Sequence, residues 1–386
     1  MDKRYPGRLL AAPLLGGLLM ACGGAAGIAA EEFYAADGEL RGEVLSSELN
    51  HPWAMAFLPD GGMLISERPG QLRYIPDAEN VEGRGEMVSG LPGDLIAQNQ
   101  GGLLDLALHP DYEDNGWLYF TYSAQVDGGQ TTRLARGQFA DGALQDVEVL
   151  FSVEPGVRGG RHFGSRIVFD ADHYVYISIG DRGERDHSQD TSTHIGSIVR
   201  LHDDGSVPED NPLVGEGEAK PELWAWGVRN PQGMVIDPET GTFWQNEHGP
   251  RGGDEVNIIE RGLNYGWPVI SQGREYSGGP VGDGLTEKEG MESPLHYWTP
   301  AIAPSGMAIL RDPAFADWNG DLLVGGLRGQ TLRKLTFDGR ELVNEEDLLP
   351  DLGRRIRDVR VHDGAIWVLT DHNPGELIRL TPADPG

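Results

Sequence analysis

Six times along the chain a short apolar strand runs into a turn holding Asp or Pro and returns as a second apolar strand. The copies are Ala54–Asp60 with Met63–Ser66, Leu104–Asp111 with Trp117–Thr121, Arg166–Asp170 with Tyr174–Ser178, Gly233–Asp237 with Thr242–Gln245, Gly306–Leu310 with Asp321–Val324, and Val359–Asp363 with Ala365–Leu369. They recur roughly 50 to 70 residues apart, which leaves room for four short strands in each. One strand pair cannot bury both of its faces. Radial packing of six four-stranded sheets can, and it leaves only short, protected edges. The expected fold is all-β: a six-bladed β-propeller of four-stranded antiparallel sheets over residues 39–382. The strand-like Leu40–Leu45, ahead of the first copy, is placed to complete the last blade and close the ring. A β-sandwich would not bring the Asp turn back at this interval. With 56 Gly and 25 Pro, the composition favours strands and tight turns.

The first residues read as a targeting signal. Lys3, Arg4 and Arg8 precede an apolar run from Leu9 to Ala21, too short to span a bilayer comfortably but suited to a secretory signal. The run ends in Leu19-Met20-Ala21-Cys22, which resembles a bacterial lipobox, and Cys22 is the single cysteine. Residues 1–21 are therefore expected to be a signal peptide of the lipoprotein type and residues 22–38 a tether. An ordinary signal peptide cleaved near Ala29–Ala30 is the alternative. Either leads out of the cytoplasm, to the periplasm or to a lipid anchor in the outer membrane facing it. No disulfide is possible within the chain, and a net charge of −30 repels nucleic acid.

If the first strand of each copy borders the central channel, the residues just before it line one mouth. Those residues are Gln100, His162, Arg229-Asn230 and Arg355-Ile356-Arg357, joined in the fifth blade by Ala303-Pro304-Ser305 and by Arg328 after its second strand. Four arginines and a histidine converging in an acidic protein call for a bound anion, because clustered buried cations are costly alone. A planar ligand with several carboxylates or phosphates suits arginine. Ile179-Gly180-Asp181 ends the next strand after His162, close enough for the carboxylate to orient the imidazole as a general base. A hard-oxygen metal site is suggested by Asn246–Pro250, Asp254-Glu255 and Asn264–Pro268, whose carbonyls and carboxylates suit calcium better than zinc. There is no HExxH, paired CxxC, P-loop or strand-borne GxGxxG, which speaks against zinc hydrolysis and against nucleotide or nicotinamide chemistry.

The segments Gln100–Leu104, His162–Arg166, Ile179–Asp181, Arg229–Gly233, Asp254-Glu255, Asn264–Pro268 and Arg355–Asp358 resemble, in order, the soluble glucose and aldose sugar dehydrogenases that depend on pyrroloquinoline quinone (PQQ). The likeness covers nearly all of residues 50–380 and is nearer to the compact aldose sugar dehydrogenases than to the long-loop glucose dehydrogenases. It implies that PQQ, a planar tricarboxylate quinone, is the anion, held by Gln100, Arg229, Asn230, Arg355, Ile356 and Arg357 with Tyr276 and Gly326-Leu327-Arg328 at its rim. It also implies a Ca²⁺ on the carbonyls of Gly249 and Pro250, and a second, structural Ca²⁺ at Glu255 and Tyr265. His162, oriented by Asp181, would take the anomeric hydroxyl proton while C1 of the aldose is oxidised to a lactone. Electrons would then pass to an external acceptor, a quinone or a cytochrome. The chain departs from the long-loop branch in two places: Arg328 stands where those enzymes carry a PQQ-binding lysine, and Ala301 where they carry a threonine ligand. A calcium-dependent lactonase would place carboxylates and Asn at the channel mouth. A binding propeller would be expected to lose His162, Asp181 or the arginines. Monomer and homodimer are both compatible with the sequence.

Overall fold

The computed structural model describes residues 31–383, so the expected signal peptide, Cys22 and the start of the tether lie outside the described residues. Six antiparallel sheets follow one another along the chain. Blade one is built from Pro52–Phe57, Met63–Glu67, Gln71–Ile75 and Glu86–Val88; blade two from Leu103–Leu108, Trp117–Val126, Gly129–Ala140 and Ala143–Ser152. Blade three holds Ile167–Phe169, Val175–Ile179, Ser197–Leu201 and Leu223–Trp226; blade four holds Pro231–Ile236, Phe243–Glu247, Asp254–Ile258 and His296–Trp298. Blade five comprises Pro304–Ile309, Leu322–Gly326, Thr331–Asp338 and Glu341–Asp347. In every blade the repeat read from sequence supplies the first two strands.

Blade six closes the ring. Its first three strands, Ile356–His362, Ala365–Thr370 and Gly375–Pro382, come from the C-terminal end of the fold, and the fourth is Leu40–Leu49 from the N-terminal end. Leu40 lies opposite Pro382 and Leu49 opposite Gly375. Glu31–Ala35, inside the stretch read as tether, is instead a strand that adds a fifth member to this sheet. The innermost strands of successive blades touch in an unbroken circle that ends where it began, blade six against blade one.

The apolar residues sort into clusters between blades. One cluster joins blades one and two around Leu64, Leu103 and Phe120, and the next joins two and three around Leu134 and Ile177. The series continues to Ile65, Leu369 and Trp367 between blades one and six. Hydroxyl and amide side chains on the second strands tie each of the first four blades to the next. Ser66 donates to Leu104 O at 2.5 Å, Thr121 to Ser165 O at 2.7 Å, Ser178 to Pro231 O at 3.3 Å and Asn246 to Ser305 O at 3.0 Å. Near the axis Arg166 reaches Asp105 at 2.7 Å and Asp358 at 3.0 Å, and lies 4.5 Å from the centre of the Trp53 ring. This pairing matches buried charge with charge and joins inner-strand residues of blades two, three and six beneath the mouth described next.

Candidate active site

His162 sits on the approach to the inner strand of blade three, with φ +53°. A non-glycine residue in the left-handed region carries roughly 1–3 kcal/mol of strain and persists only where its surroundings hold it. Its amide donates to Gln100 Oε1 at 2.7 Å. Its carbonyl passes so close to Gly180 that a Cβ there would stand 2.0 Å away. Asn99 and Ala303, at φ +56° and +53°, line the adjoining cavity and share this conformation.

The approach brings His162 Nδ1 to 2.6 Å from Asp181 Oδ1. Asp181 is almost fully buried and receives two further donors, Gly183 N at 2.7 Å and Trp267 Nε1 at 2.9 Å. Burial opposes its ionisation, but the His162 hydrogen bond and the charges nearby outweigh that and hold the carboxyl below its usual range. An ionised acceptor at Nδ1 fixes the proton there and leaves Nε2 with its lone pair. Burial holds the imidazole itself below the ordinary histidine range, with the opposing pull of Asp181 not enough to reverse it. The ring is therefore a neutral, oriented base at neutral pH.

Beside this dyad lies a cavity of about 240 Å³, partly open to solvent, lined by Trp53, Arg68, Asn99, Gln100, Asn230, Gln232, His248, Ala303, Leu327, Arg355, Arg357 and Asp371 among others. A second cavity holds His162, Asp181, Arg161, Arg185, Arg229, Pro250, Trp267, Glu275 and Tyr276, and Gln100 lines both. Arg355 and Arg357 both donate to Asp371 Oδ2, at 3.2 and 3.1 Å. Burial alone would raise that carboxyl, but the two guanidinium charges win and hold it well below the carboxylate range. Arg229 donates to His248 O and Gly249 O at 3.0 and 2.9 Å. Nε of Arg229 and Nε of Arg357 are buried without a partner. Three arginines against one carboxylate leave the first cavity positive.

Of the residues expected from sequence, Gln100, His162, Asp181, Arg229, Asn230, Leu327, Arg355 and Arg357 meet at these two cavities. Tyr276 borders the His162 cavity rather than the arginine one and is largely exposed. The Ile356 side chain packs into the core between blades five and six, so only its backbone faces inward; its carbonyl accepts from Ser305. Gly326 is buried at the end of its strand, and Arg328 is exposed and borders neither cavity. The anion demanded by the remaining arginines is supplied in part by Asp371. Sequence reading missed Asp371, which follows the second strand of blade six and belongs to no motif, along with Trp53, Arg68 and Arg161. His248 was read only within the metal motif. It donates from Nε2 to Pro304 O at 2.8 Å, and burial together with Arg229 pushes it down to about 3.

The donor sets for metal can be tested on the same atoms. Pro250 borders the His162 cavity, and the Gly249 carbonyl keeps one lone pair beyond its bond to Arg229. Glu255 stands directly opposite Glu247 across two adjacent strands of blade four. Burial pushes Glu247 up to about 7, while burial and then Glu247 push Glu255 well above its usual value. Two facing acids without a cation between them suit a hard divalent ion. The Tyr265 hydroxyl donates to Ile258 O and accepts from Glu260 N, so this residue has only its carbonyl to offer. The arginine cavity likewise suits a planar polycarboxylate: Arg68, Arg355 and Arg357 make it cationic, and Nε of Arg357 is left without a partner there.

Residues 49–379 match the family described as Glucose / Sorbosone dehydrogenase. The aldose sugar dehydrogenase YliI of Escherichia coli is 40% identical over 355 residues, spanning 90% of this chain and 95% of its own length. The apo structure of the soluble aldose sugar dehydrogenase from that organism superposes with a TM-score of 0.84 at 39% identity, over 89% of this chain and 99% of the other. A PQQ-bound aldose sugar dehydrogenase from Streptomyces coelicolor aligns with a TM-score of 0.72 at 26% identity, over 88% and 96% of the two chains. Matched over residues 49–379 and to a relative at 40% identity along nearly its whole length, this chain belongs to the glucose/sorbosone dehydrogenase family.

Proposed function

We propose that this protein oxidises aldose sugars at C1 to lactones, using PQQ and Ca²⁺ and passing electrons to an external quinone or cytochrome. The observation that carries this reading is a half-buried, carboxylate-oriented histidine opening beside a cavity lined by arginines. Its relatives named as aldose sugar dehydrogenases support sugar oxidation, and the PQQ-bound relative supports the cofactor. Arg355, Arg357, Arg229, Gln100 and Asn230 would hold the polycarboxylate, with Leu327 against its edge. Gly249 and Pro250 would hold one cation at the site, and Glu255 with the Tyr265 carbonyl a second, structural one. When bound, PQQ supplies a quinone that accepts the hydride released from C1, with the cation polarising its carbonyl.

The protein's own part is positioning and proton transfer. Nδ1 of His162 is tied to Asp181, so Nε2 receives the anomeric hydroxyl proton, and the Asp181 carboxylate stabilises the imidazolium that forms. The clamp of Gly183 and Trp267 on Asp181 holds the dyad in one geometry during transfer.

Dye-linked turnover by apoprotein, with PQQ and Ca²⁺ added separately and together, tests the reading. Turnover of aldoses that needs both is the expected result; no turnover and no spectral change with PQQ would overturn it. Export belongs to the same proposal, with Cys22 as the lipidated first residue of the mature protein. Mass spectrometry of protein from membranes should find a diacylglyceryl mass on a chain beginning at Cys22, and an unmodified chain would contradict lipidation.

A further inference from the structure

Arg161, immediately before the base, has no role in the account above. Its guanidinium makes no hydrogen bond or ion pair with any of the described residues, yet it borders the His162 cavity. Its position is built. The Arg161 carbonyl accepts from Arg182 Nε at 3.0 Å, and Arg182 also donates to Gly159 O at 3.1 Å and Gln130 O at 3.2 Å while lying 3.7 Å over the Phe163 ring. The backbone on both sides of Arg161 is thus gripped by a buried guanidinium spent entirely on carbonyls.

The Arg161 side chain rests on Gly183, in the turn that carries Asp181. A Cβ on Gly183 would stand 2.4 Å from Arg161 Nε and 2.7 Å from Nη2, and Gly183 has φ +84°. Glycine there leaves the space the planar group fills. The other charged groups of the cavity are engaged elsewhere. Arg185 pairs with Glu275, Asp181 serves His162, and Arg229 is bound to two carbonyls and faces the cofactor residues. Arg161 is left as an unmatched cation beside the base, in a chain whose net charge is −30.

A neutral sugar offers a guanidinium only hydroxyls. A carboxylate or phosphate on the sugar would pair with it in charge-assisted, bidentate fashion. We infer that Arg161 recognises an anionic substituent, so that the preferred substrates are aldoses with a free anomeric hydroxyl and a carboxylate or phosphate elsewhere on the sugar. This rests on the aldose-oxidising reading. The chemistry at C1 is unchanged: a hydride leaves to the quinone, the hydroxyl proton goes to His162, and the anionic group stays intact in the lactone.

The test compares kcat/KM of the PQQ- and Ca²⁺-loaded protein for glucose and galactose with that for glucuronate, galacturonate and glucose 6-phosphate. In the wild-type protein at least one anionic sugar is expected to exceed its neutral counterpart, and the uronate and phosphate arms show which anion fits. In Arg161→Gln the anionic-to-neutral ratio is expected to fall about tenfold or more, mainly through KM, with partial rescue by Arg161→Lys. Raising NaCl to about 0.3 M should shrink the same ratio in the wild-type protein. A ratio that favours neutral sugars and is indifferent to Arg161→Gln overturns the inference while leaving aldose oxidation standing. Oxidation of no aldose, charged or neutral, overturns the reading beneath it.

Discussion

Trp267 makes one polar contact at the site, its indole N–H on Asp181 Oδ2 at 2.9 Å, and its ring lies 5.3 Å from the Arg229 guanidinium carbon. Trp267→Phe keeps most of the ring and removes the donor. With one donor fewer, Asp181 accepts more strongly from His162 and stabilises the imidazolium. The acidic limb of the kcat/KM profile should then move to higher pH, with a loss of about tenfold in kcat. A residue of purely structural importance would lower the amount of folded protein without moving the limb. In the wild-type protein that limb should lie below the usual histidine range, since burial lowers the His162 value. The base works deprotonated, so a lowered pKa preserves activity further into acid. At this scale the motif residues were legible, because positions before an inner strand share one mouth by construction. Asp371 was not legible, because its contacts with Arg355 and Arg357 depend on how the chain turns after Thr370.

Among the elements, the strand Leu40–Leu49 carries the most consequence, because it pairs the N-terminal end of the fold with the C-terminal strand of blade six. Leu40 and Leu49 are both within 1% of full burial, and each such side chain contributes about 1.5–3 kcal/mol. A chain truncated to begin at Asn50 would also bare the Gly375–Pro382 edge. It should fail to fold or should aggregate, as read by circular dichroism and size exclusion. A chain beginning at Glu39 loses the outer strand Glu31–Ala35 and the turn Ala36–Gly38 but keeps Leu40–Leu49, and should still melt cooperatively, a few degrees below the longer protein. Equal melting of both truncations would contradict the closure. The repeat made the strand pairs readable, since apolar alternation and the Asp turn are local signals. The fifth strand escaped notice because Glu31–Ala35 is short and its partner lies across a tight 3-10 turn at Ala36–Gly38.

The whole molecule sets a cationic mouth in a strongly acidic body, and that contrast depends on closing the ring. Residues as far apart as Gln100, Arg229 and Arg357 meet only because six inner strands converge. The facing acids Glu247 and Glu255 are a second product of the assembly, and they bear on stability. Burial holds both acids above their usual range; a divalent cation favours their ionised forms and binds only the folded state. Chelation should therefore lower the melting temperature by several degrees, with calcium restoring it, and Glu255→Gln should blunt the response. An unchanged melting curve would mean that these acids hold no cation. The most direct test of the central claim follows bound PQQ by its absorbance in a single turnover after aldose is added, comparing the wild-type protein with His162→Ala. The expected result is rapid reduction in the wild type, with the variant binding PQQ equally but reducing it about 10²–10⁴-fold more slowly. Reduction at the same rate in both proteins would contradict a mechanism in which His162 takes the proton.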